Sequence, residues 1–320
     1  MLISICIPCY RSENNLEWVV NEIKEEFAKH PEHDYQLVLV NDGSPDDTFG
    51  VIRRLCAADP KIKGINLTKN QGQPCARLAA ANHADGDALV FMDDDGQHPP
   101  EAIFRMIDKI REGYDIVYAK FPKTTHKWMK RVTSNFYNKL MRATGTKPKD
   151  VTTSSFAAWS RVVIDAIKNY RSPFPSAGAY LQCVTDKLAN IDVEHRSRHS
   201  GESGYSFRRL VSQSMNTLTN FSMAPLRIAS FLGVLTALIG FVFGIVTIVR
   251  KILHPEMLAG YASTISILLF VGGMIMLILG LIGEYIGRIY MTLSNKPQYV
   301  VGEVLNGEFP AREEDTEKTP

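Results

Sequence analysis

The sequence predicts an α/β fold, a parallel sheet covered by helices on both faces, followed by a two-helix hairpin that crosses a membrane. Three observations predict it. Short apolar runs alternate with longer amphipathic ones from Leu2 to Ala119, the pattern of strands joined by crossover helices. Two long uncharged runs follow late in the chain. Three consecutive carboxylates, Asp93, Asp94 and Asp95, stand directly after one of the apolar runs, where an open α/β sheet places its ligands.

In chain order the strands are expected at Leu2–Ile7, Gln36–Asn41, Ile62–Leu67, Ala88–Met92 and Asp115–Ala119. Helices are expected at Asn14–Lys29, Asp46–Ala58, Pro74–His83 and Pro100–Glu112. The loop after the first strand reads PCYRSEN, without a glycine, so a dinucleotide-binding oxidoreductase loses its main support. The second strand ends in Asn41-Asp42-Gly43-Ser44, which brings polar side chains to the same sheet edge and can also cap the helix that follows.

The carboxylate run ALVFMDDDGQHPPE carries the chemistry. Three adjacent negative charges repel one another, and a hard divalent cation with oxygen ligands offsets that cost, especially one that also bridges nucleotide phosphates. In an extended backbone Asp93 and Asp95 point to one side and Asp94 to the other, which makes Asp93 and Asp95 the natural metal pair. A solvated acidic loop that caps the helix starting near Pro99 is the other reading of such a run.

Composition narrows the class. The formal charge is +2, and no long basic run interleaved with aromatics appears, so nucleic acid is not an expected partner. Five scattered cysteines, Cys6, Cys9, Cys56, Cys75 and Cys183, include one C-x-x-C spacing without a second pair. They read as reduced structural thiols in a cytosolic domain. The N-terminus opens directly into the first strand, with no signal-peptide pattern.

Ile228 to Val249 is 22 residues without a charge, about 33 Å as a helix and enough to cross the hydrocarbon core. Leu258 to Gly283 is a second uncharged run; the spans are placed at about residues 228–249 and 260–283. Such a hairpin puts both chain ends on one side. Arg208, Arg209, Arg227, Arg288 and Lys296 flank that side, against Arg250 and Lys251 in the short loop, a bias that favours a cytoplasmic main domain in an integral membrane protein. Residues 205–222 mix apolar and polar positions at helical spacing, as a helix lying in the membrane interface does. Small residues in GLIGEYIG allow close helix approach and a homo-oligomer. Arg312 to Pro320 is polar and charged, the composition of a disordered tail.

These segments resemble glycosyltransferase family 2, and within it the polyisoprenyl-phosphate glycosyltransferases, the dolichol-phosphate mannose synthase and bacteriophage-type glucosyl transferase group. IPCYRSENNL is similar to the opening P-x-Y-N-E-x-x-x-L, with Pro8, Tyr10, Glu13 and Leu16 in place. LVNDGSPDDT resembles D-D-G-S-x-D-x-T, LTKNQGQPCARLAA resembles N-x-G-x-x-x-A-x-x-x-G, and MDDDGQHPPE resembles D-A-D-L-Q-x-P-P-E. HRSRHSGESGYSFRRL is similar to H-x-x-R-x-x-G-x-S-x-Y-S, and GEYIGRIY closes the second span as in the family.

The resemblance implies a Rossmann-like GT-A nucleotide-sugar domain over residues 1–204, an interfacial helix over 205–224, two transmembrane helices within 225–290 and a cytoplasmic tail over 291–320. It implies inverting transfer of one sugar from a nucleotide-diphosphate sugar, a UDP-sugar first of all, to a polyprenyl phosphate of the undecaprenyl type, at the cytoplasmic face of a bacterial plasma membrane. Pro8, Tyr10, Glu13 and Asp42 would hold base and ribose. Asp93 and Asp95, with Gln97, would surround Mg²⁺ or Mn²⁺ on the diphosphate, beside Asp94. Arg131, Arg198 and Ser203 would sit near the phosphates of acceptor and donor, although Arg131 also fits a solvated helix face in HKWMKRVTSNFYNK. His195 and Tyr205 read as packing or loop-shaping residues.

Two departures stand out. Many relatives carry an acid in a G-D-F-R segment that here reads TSSFAA, with Ser155 at the acid's position and Ala157 at the arginine's. Gly204 stands where a lysine is common. The rival readings are a non-catalytic nucleotide-sugar-binding membrane anchor, which the missing acid favours, and a polymerising family 2 synthase, which usually adds a QxxRW-type motif and more spans.

Overall fold

The computed structural model describes residues 1–122, 151–168, 170, 184–194, 224–254, 260–294 and 297–308. The five expected strands form as β1 (Leu2–Cys9), β2 (Asp34–Asn41), β3 (Ile62–Leu67), β4 (Ala88–Phe91) and β5 (Ile116–Lys120). Between them lie α1 (Leu16–Ala28), α2 (Thr48–Ala58), α3 (Gln73–His83) and α4 (Ala102–Arg111). The first helix shows why the pattern works. Leu16, Val19, Val20, Ile23 and Phe27 recur at helical spacing and form one buried stripe. Each such side chain withdrawn from water contributes about 1.5–3 kcal/mol.

Further along the chain come β6 (Ala157–Ser160), α5 (Arg161–Lys168), β7 (Leu188–Asp192) and β8 (Val301–Leu305). The strands form one sheet in the order β7-β5-β6-β4-β1-β2-β3-β8. This corrects the expectation of a purely parallel sheet. β1 pairs parallel with β2 and β4 and β2 with β3, but β6 runs antiparallel between β4 and β5, and β8 runs antiparallel along β3.

Side-chain alternation assigns the two faces. Ile3, Ile5 and Ile7 of β1 join Leu37 and Leu39 of β2 in a core with the apolar stripes of α1, α2 and α4. The intervening residues of β1 face the layer of α3, which packs on β1, β2 and α5. Cys6, Cys9, Cys56 and Cys75 are free and buried, the first two on β1. Burial pushes the thiols of Cys6 and Cys9 well up, which makes them inert packing groups.

Order and direction together locate the ligand crevice. From β1 the chain moves through β2 to β3 on one side, while β4 lies on the other. The exits of β1 and β4 are therefore neighbours at the point where the winding reverses, the place where open α/β sheets bind ligands. Because β6 is antiparallel, its beginning arrives at this edge, and that is how Ser155 comes close to the exit of β4.

Two long helices form a separate compact unit, α6 (Ala224–Leu253) and α7 (Tyr261–Leu293). Both are long and apolar enough to cross a membrane, over Ala229–Thr247 and Phe270–Leu293. A soluble hairpin would bury such side chains, yet Phe231 is 68% and Met276 72% exposed. Hydroxyls in these helices bond back to the preceding turn: Thr236 Oγ1 donates to Leu232 O and Thr247 Oγ1 to Phe243 O, each at 2.8 Å. Such bonds satisfy a polar group where no water is present. The apolar window of α7 runs ten residues beyond the expected end at Gly283, past Glu284 and Arg288, which pair with each other along the helix.

After the hairpin the chain rejoins the first unit. Thr68 N–H donates to Val300 O, β8 pairs with β3, and Asn306 Nδ2 donates to Cys56 O and Ile62 O at 2.7 and 2.9 Å. Asn82 Nδ2 donates to Tyr299 Oη at 2.6 Å, which ties the same segment to α3.

Candidate active site

The site is built from loops at the exits of β1, β2, β3 and β4 and at the entry of β6. The first loop carries Tyr10, 45% exposed, and Arg11 in the left-handed region at φ 58°. Arg11 N–H donates to Ser44 Oγ at 3.0 Å, so the first and second loops are joined. Ser12 is buried; its N–H donates to Thr48 Oγ1 at 2.9 Å and its hydroxyl bonds the Asp94 carboxylate. Pro8 is buried within β1.

Asp42 is 4% exposed and shapes the loop after β3. Its Oδ1 accepts from Gln71 N–H at 2.7 Å and its Oδ2 from Gly72 N–H at 2.9 Å. Both oxygens thus hold the Gln71–Gly72 turn against the exit of β2. Glu13, by contrast, accepts the Asp47 N–H at 2.9 Å at the start of α2.

The carboxylate loop differs from the extended strand the sequence predicts. β4 ends at Phe91, and Asp94 and Asp95 lie in a turn completed by Gly96 at φ 74°. A Cβ at Gly96 would lie 2.3 Å from Trp18 Cζ3, so only glycine fits both the backbone and the contact. Strand alternation therefore does not decide where Asp95 points. Asp93 and Asp94 do diverge. Asp94 reaches the β1 loop, while Asp93 Oδ1 accepts from Gln73 Nε2 at 2.8 Å and Oδ2 from Ser155 Oγ–H at 2.9 Å. Asp95 Oδ1 accepts Gln97 N–H at 3.1 Å.

Burial raises the Asp94 carboxyl from its ordinary 3.8 to about 6; the Ser12 hydroxyl and Tyr10 N–H oppose the shift, and the charge of Asp93 adds to it. A carboxyl whose folded value is raised holds its proton more tightly in the folded protein than in the unfolded chain. Folding stability from this group therefore falls as pH rises from about 4 to about 6, and the deficit is complete above that window. Asp94→Asn keeps an oxygen acceptor for Ser12 and Tyr10 and removes the charge. In chelator, its melting temperature should exceed that of the wild type at pH 7.5 and match it at pH 4; an equal shift at both would refute the assignment.

Arg131, Arg198, Ser203, His195, Tyr205 and the interfacial segment lie outside the described residues, so the acceptor-side expectations stand on the sequence alone. Of the other expected residues, the structure brings Tyr10, Asp42, Asp93, Asp94, Asp95 and Ser155 to one sheet edge, and turns Glu13 toward α2. Two further residues enter the site, Gln73 and His98. Gln73 opens α3 at the end of the Asn70–Gly72 loop, and His98 accepts the Asp93 N–H at 2.9 Å. The signal available for them was position: a lone amide and a lone imidazole beside segments already marked as crevice loops.

As for a cation, among the described residues no group of three or more His, Cys, Asp or Glu side chains converges. The available donors are carboxylate oxygens near the crevice, partly exposed. That set fits Mg²⁺ or Mn²⁺, which take one or two protein carboxylates and complete their shell with water and substrate phosphate, and it does not fit a closed structural zinc site.

The crevice lies on a mixed α/β sheet in a chain that also carries two helices long and apolar enough to cross a membrane, and the comparisons with known proteins place that combination in a family. The pattern of glycosyl transferase family 2 matches residues 4–167, and that of the GtrB C-terminal hairpin matches residues 224–289. The chain belongs to glycosyl transferase family 2 and is a glycosyltransferase of the GT-A fold. It is 32% identical over 299 residues to an uncharacterized glycosyltransferase, YkcC, of Bacillus subtilis, covering 93% of this chain and 92% of that one. It is 30% identical over 308 residues to a prophage-derived bactoprenol glucosyl transferase of Shigella flexneri, covering 96% and 99%. It is 31% identical over 317 residues to the undecaprenyl-phosphate 4-deoxy-4-formamido-L-arabinose transferase of Proteus mirabilis, covering 98% and 97%.

Proposed function

We propose that this protein transfers a single sugar, with inversion, from a nucleoside-diphosphate sugar of the UDP-sugar class to a polyprenyl phosphate at the cytoplasmic face of the membrane. The observation that carries the reading is the combination in one chain of a carboxylate loop at the sheet's switch point with two helices whose apolar side chains face outward. The whole-length likeness to proteins named for bactoprenol and undecaprenyl phosphate supports the acceptor class.

In this reading an acceptor phosphate oxygen attacks the anomeric carbon opposite the leaving group. One C–O bond forms, the bond from the anomeric carbon to the diphosphate breaks, and the nucleoside diphosphate departs with the electron pair. The second pKa of a phosphate monoester is near 6, so at pH 7 the nucleophile is mostly ionised and needs little help from a base. This accounts for a serine at the position where many relatives carry an acid. Tyr10 offers an aromatic face to the base, and Asp42 fixes the loop of Gln71 and Gly72 around the nucleoside. Asp93 and Asp95, with Gln97, are the residues to hold Mg²⁺ or Mn²⁺, whose charge would neutralise the departing diphosphate. Residues on both sides of the hairpin belong to one compact unit, which supports both ends leaving the membrane on the same face, and the basic flank supports that face being cytoplasmic.

The test is to incubate membranes containing the protein with polyprenyl phosphate and a panel of nucleotide sugars, and to weigh the lipid product. The expected result is a mass increase of one sugar with one donor. A protein that binds a nucleotide sugar and yields no lipid product with any donor would overturn the reading.

A further inference from the structure

His98 directly follows Gln97, the last of the residues assigned above to the cation, but it has no role in that assignment. It is 6% exposed. Its ring stacks with Phe156, centroids 4.7 Å apart and planes 9° apart, and with Phe121 at 5.8 Å and 16°. Nδ1 accepts the Asp93 N–H at 2.9 Å. A ring nitrogen that accepts carries no proton, so the imidazole is neutral and its proton lies on Nε2. Nε2 lies 3.5 Å from Ser155 Oγ and 3.6 Å from Asp93 Oδ2. Ser155 in turn donates its own proton to Asp93 Oδ2.

These contacts close on themselves. From the Asp93 backbone N–H to His98, from His98 Nε2–H toward Ser155, and from Ser155 back to the Asp93 carboxylate, every donor points the same way round. We propose that His98 is a positioning residue, whose Nε2–H closes this ring and thereby fixes the Asp93 carboxylate for its work on the donor diphosphate. The inference rests on the reading of Asp93 given above. It also gives Ser155 a definite role, since a hydroxyl whose proton is committed to Asp93 is a strut and not an acid or base. The His98 Nε2–Ser155 Oγ contact, at 3.5 Å, is the long side of the ring, and it is there that a bound donor has room to tighten the geometry, as catalytic hydrogen bonds do.

Three substitutions separate the contributions. His98→Phe keeps an aromatic ring against Phe156 and Phe121 and removes both nitrogens. His98→Asn keeps an acceptor where Nδ1 was, and His98→Gln keeps a donor where Nε2 was. The readouts are kcat and the donor KM in the detergent-solubilised full chain, Mn²⁺ affinity by electron paramagnetic resonance in the presence of UDP, and melting temperature. His98→Phe should weaken Mn²⁺ binding on the order of tenfold and lower kcat by up to roughly tenfold, about as much as loss of the Ser155 hydroxyl, with little change in donor KM. Asn should behave like Phe, and Gln should recover most of the loss. Ser155→Ala alone should cost less than roughly tenfold in turnover, about 1.4 kcal/mol of barrier. Combined with His98→Phe it should add nothing, because the ring is already open.

Wild-type Mn²⁺ affinity and kcat in His98→Phe, equal behaviour of Asn and Gln, or losses that multiply in the double variant would each overturn the ring. If His98→Phe fails to fold, the Asn–Gln contrast decides the question. Asp93→Asn keeps this distinct from the functional reading. A wild-type rate there overturns the role of Asp93 itself, whereas an inactive Asp93→Asn beside an undisturbed His98→Phe overturns the ring alone.

Discussion

Asp95→Asn, or an excess of chelator, should abolish sugar transfer while leaving the protein folded. The size of the effect follows from the charge that develops. A nucleoside diphosphate leaves with a negative charge beside a loop of carboxylates, and fixed positive charge at that place typically supplies several kcal/mol of barrier reduction. A loss of roughly a thousandfold or more, about 4 kcal/mol, is therefore expected. The fold should not notice. Asp95 Oδ1 accepts the Gln97 N–H, and the amide oxygen of asparagine can accept the same bond. Rates measured across a Mg²⁺ and Mn²⁺ titration, with melting curves alongside, separate the two effects. Full activity in excess chelator would refute metal dependence.

The second large effect is expected at Arg198, in HRSRHSGES, as a phosphate clamp on the acceptor or the departing diphosphate. A guanidinium offers two parallel charge-assisted hydrogen bonds in a rigid plane, and an ammonium cannot reproduce that geometry. Arg198→Lys should impair transfer strongly although the charge is kept, and Arg198→Ala should be worse. A residue that merely solvated a loop would leave both variants like the wild type. Transfer rates at saturating donor, with thermal stability as the control for folding, distinguish the outcomes; near-normal turnover in Arg198→Ala removes the clamp.

Most of the strands that the sequence made legible carry an apolar run, such as LVLV in β2 and ALVF in β4. β3 occurs at Ile62–Leu67 as expected, and β1, β2, β4 and β5 differ from expectation by two residues or fewer at either end. Such runs are buried on both faces, and burial writes itself into composition. β6, β7 and β8 were not legible for the converse reason. β6 is four residues long, β7 reads LANID and β8 reads VGEVL, each too short or too polar to stand out from a loop. The site divides in the same way. A carboxylate run after a buried strand announces itself, so Asp93 and its neighbours were found. The turn at Gly96 was not anticipated, because the ring that leaves no room for a side chain there belongs to Trp18, a residue far away in the sequence. Nor was the orientation of Glu13, whose partner is a backbone N–H at the start of α2 and carries no sequence signature.

The return of the chain to β3 also sets an order of events during synthesis. The strand that covers the β3 edge lies after both apolar helices, so the ribosome delivers it only when the hairpin is already made. Until then the catalytic sheet has an open edge with unpaired N–H and C=O groups, the arrangement that invites pairing with other chains. Completion of the sheet thus trails production of the membrane segment, and the nascent enzyme cannot finish folding ahead of its anchor. A fragment cut before the hairpin would keep that edge bare permanently, and it should aggregate where the same fragment supplied with residues 297–308 as a separate peptide stays in solution.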